Sequence, residues 1–296
     1  MSKDKKYFVK RILTSKSEKN GKITYRYKYV DSNGINITKS FQDYAKSLNI
    51  PHNIDQNSVI IYPNDRKLLV TYKDLKGRSM YRYSDSFLSK NKTEKFSRTK
   101  TLLKNEHKLV QSIKNQIGID SKSEQAALIL YIIYTTGLRI GSNQNTKANV
   151  KAYGVSTLKG KHIKLLPNNK IKLDFIGKKG VRNTSIISDP IIVSKLKQLK
   201  SSQWSDDIFN VSDSYVRDFL SSLDKRFLIK DLRTLKANKI ALGAIKKRKG
   251  PAPNEKTFKK WQKEVASKVA KTLGNTKAVA LRDYIDPNVW EPWSPK

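Results

Sequence analysis

The stretch "SKSEQAALILYIIYTTGLRIGS", Ser121 to Ser142, decides the fold. Ser121 and Glu124 stand three apart, the spacing at which a hydroxyl and a carboxylate satisfy each other's backbone amides at a helix start. The run that follows, "AALILYIIY" from Ala126 to Tyr134, is apolar all round, so a helix made of it belongs inside a core. It is far short of the ~20 residues that a membrane span needs, so that core is the interior of a folded domain. The apolar run gives way to "TTGLRIG", where Arg139 stands between Leu138 and Ile140. A guanidinium leaving an apolar neighbourhood requires a partner, because an unpaired buried charge is expensive. A carboxylate meets that need as well as a phosphate does.

On the N-terminal side the pattern is different. From Tyr7 to about Phe87 the chain reads as short strands broken by turns: "KYFVKRIL", "ITYRYKYVD" before "SNG", "SVIIYP" before "ND", "KLLVTYKD" before "LKGR", and "SMYRYSD". This predicts an antiparallel sheet with little helix. The basic, aperiodic segment "SKNKTEKFSRTK", Ser89 to Lys100, suits a linker or an exposed helix start and places a domain boundary near residue 90. Beyond it, helical periods resume in "TLLKNEHKLVQSIKNQI". After the buried helix comes a strand pair, "KHIKLLPNNKIKLDFIGKKGVRNTSIIS", with turns at "PNN" and "GKKG", and then helices to the end. In "WQKEVASKVAKTLGN", Trp261, Val265, Val269 and Leu273 recur every four residues and Gly274 is the expected C-terminal cap. The fold class is therefore α+β: residues 1–90 form a small β-rich domain and residues 91–296 a larger, mostly helical domain with a small inserted sheet.

Composition narrows the partner. Lysine and arginine number 61 against 25 aspartates and glutamates, a balance of 61 − 25 = +36. Such an excess favours a polyanion, with nucleic acid first. The 37% hydrophobic content supports real cores. The absence of cysteine excludes disulfides, zinc ribbons and thiol catalysis, and His52, His107 and His162 are too scattered for a metal motif. No cofactor is expected. The N-terminus lacks an apolar leader segment, which leads to the expectation of a soluble, intracellular protein.

Three further segments carry groups suited to phosphate chemistry. "DFIGKKGVRNTSI" reads as a hairpin with Lys178 and Lys179 at its tip, where one ammonium could donate a proton to a departing sugar oxygen. "FLIKDLRTLKANKIAL" reads as an amphipathic helix carrying Lys230, Arg233 and Asn238, with the planar fork of Arg233 suited to phosphate. "KTLGNTKAVALRDYIDPNVW" carries Tyr284 just before an Ile-Asp-Pro helix stop. A phenol with a pKa of about 10 is a poor nucleophile, but nearby cations favour its phenolate. Two arginines, a lysine and a tyrosine are the parts of a metal-free transesterification at a phosphodiester.

"TTGLRIG", "FIGKKG", "KDLRT" and "LGNTKAVALRDYIDP", in that order, resemble the poxvirus-type, type IB DNA topoisomerases, and "DLKGRSMYRY", Asp74 to Tyr83, resembles the family's N-terminal segment D-x-x-G-R-x-Q-Y-x-Y. The resemblance covers nearly the whole chain. It implies Tyr284 as nucleophile, Arg139 and Arg233 as phosphate clamps, Lys178 as general acid, and Lys230 and Asn238 as supporting, DNA-side groups. Tyr81 and Tyr83 would contact DNA from the sheet. Where the family has histidine nine residues before the tyrosine, this chain has Asn275, which donates a hydrogen bond but carries no charge. The family's glutamine is Met80 here. The segment "IGSNQNTKAN", with Ser142, Asn143 and Asn145, occupies the place from which poxvirus enzymes approach bases, yet its residues differ.

The resemblance further implies a monomer that embraces double-stranded DNA between its two domains, in a viral or nuclear setting. A tyrosine recombinase would share the tyrosine and arginines, but typically shows His-x-x-Arg where this chain has Lys230-Asp-Leu-Arg233. An inactive DNA-binding relative is the other alternative, and retention of all four groups argues against it. The basic run "KKRKGPAPNEKTFKKWQKE" is expected to be a loop, given Pro251 and Pro253.

Overall fold

The computed structural model describes residues 6–146, 151–202, 207–248 and 250–295, without the side chains of residues 22, 145, 201 and 202. The chain divides into two compact units, Met1–Thr93 and Glu94–Lys296.

The first unit is built on a five-stranded antiparallel sheet: β1 (Tyr7–Lys19), β2 (Lys22–Val30), β3 (Val59–Ile61), β4 (Leu68–Lys73) and β5 (Ser79–Tyr83), in the order β2-β1-β3-β4-β5. β1 and β2 are joined by Asn20-Gly21, both with positive φ (52° and 71°), and Lys19 pairs with Lys22. That is the two-residue hairpin loop whose twist matches its strands. Val9, Ile61 and Val70 are buried on one face, which also holds Tyr29 and the helix α1 (Lys39–Ser47) through Ala45 and Leu48. The expectation of little helix overlooked α1. Cross-strand pairs Phe8–Ile60, Ile60–Thr71 and Thr71–Tyr81 set the opposite face, where Phe8 and Tyr81 are exposed. The turn into β5 explains the motif at Asp74: its carboxylate accepts from the amides of Lys76 and Arg78 and from Arg78 Nε, while Gly77 takes the positive φ that the turn requires.

Of the two readings of Ser89–Lys100, the exposed helix start holds and the linker does not. The segment lies within the helix α2 (Asp85–Lys114), whose buried residues begin only at Phe96 and continue as Thr99, Leu102, Leu109 and Ile113. α3 (Lys122–Thr136) has the expected capping box, with the Ser121 hydroxyl accepting from the Glu124 amide and the Glu124 carboxylate accepting from the Ser121 amide. Every residue from Gln125 to Ile133 is buried. Each such leucine or isoleucine contributes roughly 1.5–3 kcal/mol, which makes α3 the spine of the domain. It ends at Gly137, whose φ of 75° closes the helix.

After the short α4 (Asn143–Thr146), the expected strand pair is a three-stranded meander: β6 (Ile163–Leu166), β7 (Lys170–Ile176) and β8 (Arg182–Ile187). α5 (Pro190–Ser202), α6 (Asp213–Leu223) and the start of α7 (Ile229–Lys247) complete the main core around α3. A second, smaller core joins the later part of α7 to α8 (Glu255–Leu273) and to the C-terminal segment that follows the single turn α9 (Lys277–Val279), and it contains Ile285, Trp290 and Trp293. Gly274 caps α8 with φ 61°, as the sequence predicted. The basic run, expected to be a loop, is helical at both ends, belonging to α7 up to Lys247 and to α8 from Glu255, and Arg248 between them lies over the rings of Trp261 and Trp293.

Candidate active site

Two helices end at the same place. The carbonyls at the C-termini of α3 and α8 carry partial negative charge, and Arg233, from the first turns of α7, meets both: it donates to Gly137 O through Nη1 and to Leu273 O through Nη2 at 3.0 Å. Arg233 is only 4% exposed. Two helix ends thus stabilise a buried guanidinium that no carboxylate neutralises among the described residues. The glycine caps then turn the chain back over it, so that Arg139 follows Gly137 by two residues and Asn275 follows Gly274 directly.

Arg139 donates to Asn275 Oδ1 at 2.7 Å. This leaves Asn275 Nδ2 buried without a hydrogen-bond partner. Tyr284 closes the site from the last residue of a wide π-helical turn, Ala280–Tyr284; such turns insert a residue and re-aim the side chain. Its ring is half-buried and lies 5.6 Å from the Arg233 guanidinium carbon. Burial by itself raises the tyrosine pKa, but the charge and closeness of the Arg233 guanidinium, the charge of Arg139 and the nearby Asn275 amide, which falls short of a hydrogen bond to the hydroxyl, outweigh it and bring it below the ordinary value.

The backbone of the tyrosine is also held. Asn238 donates to Tyr284 O at 2.9 Å and to Thr234 O at 2.7 Å, and its Oδ1 accepts from the Asp286 amide at 2.9 Å. Asn238 was expected on the DNA side. It is instead 4% exposed, and both its amide hydrogens are engaged by main chain, so it holds the Tyr284 segment from within. Lys95, from α2, donates to the main-chain oxygen of Asp283.

The structure therefore brings together Tyr284, Arg139, Arg233 and Asn275, with Asn238 behind them. Lys178 stands exposed at the tip between β7 and β8, where Lys179 and Gly180 both have positive φ (65° and 75°). Lys230 is exposed on the first turn of α7. Neither is in hydrogen-bonding contact with the tyrosine. The helix expected to be amphipathic is largely buried over these turns, so Lys230 and Arg233 point to different environments. Ser142 is partly buried, Asn143 is exposed in α4, and the Asn145 side chain lies outside the described residues. Tyr81 is 57% exposed on β5, with its ring 6.5 Å from that of the less exposed Tyr83.

Sequence reasoning missed two supports. Asp231, within "KDLRT", is fully buried, pairs with Arg98 of α2 at 3.0 Å and accepts from the Leu228 amide. An aspartate two before a site arginine at a helix start was the available signal. Lys95 lies far from the site in sequence, and nothing local marked it.

A tyrosine drawn toward its phenolate by two arginines, in the last turns of a helical domain of a strongly basic chain, is chemically suited to attack on a polyanion. The comparisons with known proteins make the class specific. The family described as "Eukaryotic DNA topoisomerase I, catalytic core" matches residues 82–286, more than half of the chain. The chain is 28% identical to DNA topoisomerase 1B of Acanthamoeba polyphaga mimivirus, over 96% of this chain and 88% of that protein. DNA topoisomerase 1 alpha of Arabidopsis thaliana is 30% identical over 42% of this chain, a match spanning 14% of the plant protein. The chain belongs to the type IB DNA topoisomerase family. A solved structure of the XerH site-specific recombinase bound to a palindromic difH substrate resembles it slightly, with a TM-score of 0.41 and 17% identity over 61% of this chain and 47% of that one.

Proposed function

We propose that this topoisomerase nicks one strand of duplex DNA with Tyr284. The Tyr284 oxygen attacks a backbone phosphorus, the bond from phosphorus to the 5′ oxygen breaks, and a 3′-phosphotyrosyl bond holds the broken end while supercoils relax. Attack by the freed 5′ hydroxyl reverses the step, so neither ATP nor metal is consumed. Arg139 and Arg233 hold the non-bridging oxygens, Asn275 donates its free amide N–H to one of them, and Lys178 delivers a proton to the leaving 5′ oxygen. Lys230 supports from the exposed start of α7, and Tyr81 and Tyr83 meet DNA from the sheet. The protein acts as a monomer, and the mimivirus relative is consistent with a viral setting.

The observation that carries this reading is the gathering of Arg233, whose guanidinium carbon lies 5.6 Å from the Tyr284 ring, and of Arg139, tied to Asn275 at 2.7 Å, about one half-buried tyrosine, a setting that favours its phenolate. The test is relaxation of positively and negatively supercoiled plasmid in EDTA without nucleotide. Parent protein relaxes both. Tyr284→Phe binds DNA but neither relaxes it nor forms a covalent adduct; an adduct mapping to another tyrosine, or strict dependence on magnesium or ATP, overturns the proposal.

A further inference from the structure

Lys178 and Asn275 come from different elements, and each directly follows a glycine that packs on the same side chain, Asn183 of β8. A Cβ at Gly177 would collide with the Asn183 amide nitrogen, and a Cβ at Gly274 would lie 2.5 Å from its oxygen. Gly274 has a second reason to be glycine, its φ of 61°. Gly177 has none: its φ of −104° suits any residue, so its lack of a side chain serves the contact with Asn183. Asn183 is 6% exposed, and its Nδ2 donates to Val181 O at 2.9 Å. The same carbonyl accepts the Gly177 amide at 2.8 Å. One carboxamide thus fastens the base of the Lys178 loop and wedges it against the cap that carries Asn275. An inward-facing strand position ordinarily takes an apolar residue, and a buried carboxamide there is costly unless its hydrogen bonds do something a hydrocarbon cannot.

We propose that Asn183 is a positioning residue that sets the Lys178 hairpin against the Asn275 turn, and so fixes the proton donor at the leaving-group end relative to the groups that hold the phosphate. The proposal rests on the reading of Lys178 as the acid. Asn183 touches neither phosphate nor tyrosine and acts through the loop it holds.

Single-turnover cleavage is compared on two substrates, one with oxygen and one with sulfur at the 5′ bridging position, since a thiolate departs with little acid help. Lys178→Ala cleaves the oxygen substrate slowly and regains most of its rate on sulfur. Asn183→Ala shows the same signature, slowed on oxygen by about 10- to 100-fold, the scale of a misplacement of about 1 Å, and largely restored on sulfur. Gly177→Ala, whose backbone conformation is unstrained, repeats it should Asn183→Ala fold poorly. If Lys178→Ala is rescued by sulfur while folded Asn183→Ala and Gly177→Ala lose rate equally on both substrates, Asn183 is merely structural and the proposal falls alone. If sulfur fails to rescue Lys178→Ala, the acid assignment falls and this inference with it.

Discussion

Asn275 is held by its oxygen and free at its nitrogen, and that asymmetry separates two jobs. The oxygen orients Arg139 through a 2.7 Å bond, and the unpartnered nitrogen is, in the proposed mechanism, the donor left for phosphate. A neutral donor to an anionic oxygen is worth ~1.5–3 kcal/mol, so Asn275→Ala should slow single-turnover cleavage by roughly ten- to a hundredfold. Asn275→Asp keeps the acceptor for Arg139 but replaces the donor with negative charge beside both phosphate and phenolate. It should therefore cleave more slowly than the alanine variant at neutral pH. Equal rates for Ala and the parent would remove Asn275 from the transition state. Tyr284 supplies a second test. Because its pKa is lowered, chiefly by Arg233 against burial, the parent's cleavage rate should rise with pH and level off below about 10. Arg139→Ala should move that inflection upward, and an unmoved inflection would mean that Arg139 does not act on the phenolate. The sequence exposed these side chains through short, ordered motifs, yet it gave no sign of which amide atom would be free, since that depends on two helix caps meeting.

At the scale of elements, what the chain announced locally it also built locally. The Ser121–Glu124 capping box and the Gly274 cap were readable because each is a contact within a few residues. α1 escaped because its apolar stripe, Phe41, Tyr44, Ala45 and Leu48, spans only two turns in a polar neighbourhood. Asn183 escaped because its partners, Gly177 and Gly274, are distant from one another in sequence. The same hairpin has an outer brace that titrates. Arg182 donates through Nε and Nη2 to both oxygens of Asp174, each at 2.7 Å. Those hydrogen bonds, helped by the charges of Arg182, Lys172 and Lys164, bring the Asp174 pKa down to about 2 from an unperturbed 3.8. A carboxylate depressed in the folded state stabilises it above the unperturbed pKa and stops doing so as pH falls through the folded one. The brace should therefore be complete above pH ~4 and disappear as pH falls toward ~2. Amide shifts of Lys178–Gly180, followed by NMR, should titrate with a midpoint near ~2; a midpoint near ~4 would show that the pair does not form.

Across the whole molecule, a formal charge of +36 and a site that shelters its arginines lead to different responses to salt. Most of the cations are exposed, and each that meets a phosphate releases a counterion on binding. If six to ten phosphates are contacted, affinity for duplex DNA should fall by about 10³- to 10⁵-fold between 50 and 200 mM salt. Chemistry within the bound complex should respond far less. Arg233 is buried between two helix ends and Arg139 is tied to Asn275, so both are poorly screened by an ion atmosphere whose Debye length is about 8–10 Å near physiological strength. Two measurements on one duplex separate these effects. Equilibrium binding of Tyr284→Phe across a salt series gives the slope of log affinity against log salt, and single-turnover cleavage by the parent at saturating protein gives the chemical step. The slope should be steep and the saturated cleavage rate nearly flat. On plasmid, relaxation should pass from processive at low salt to distributive at higher salt, because release quickens while cleavage does not slow. A saturated rate that fell as steeply as the affinity would mean that exposed lysines, rather than the sheltered arginines, carry the charge that stabilises the transition state.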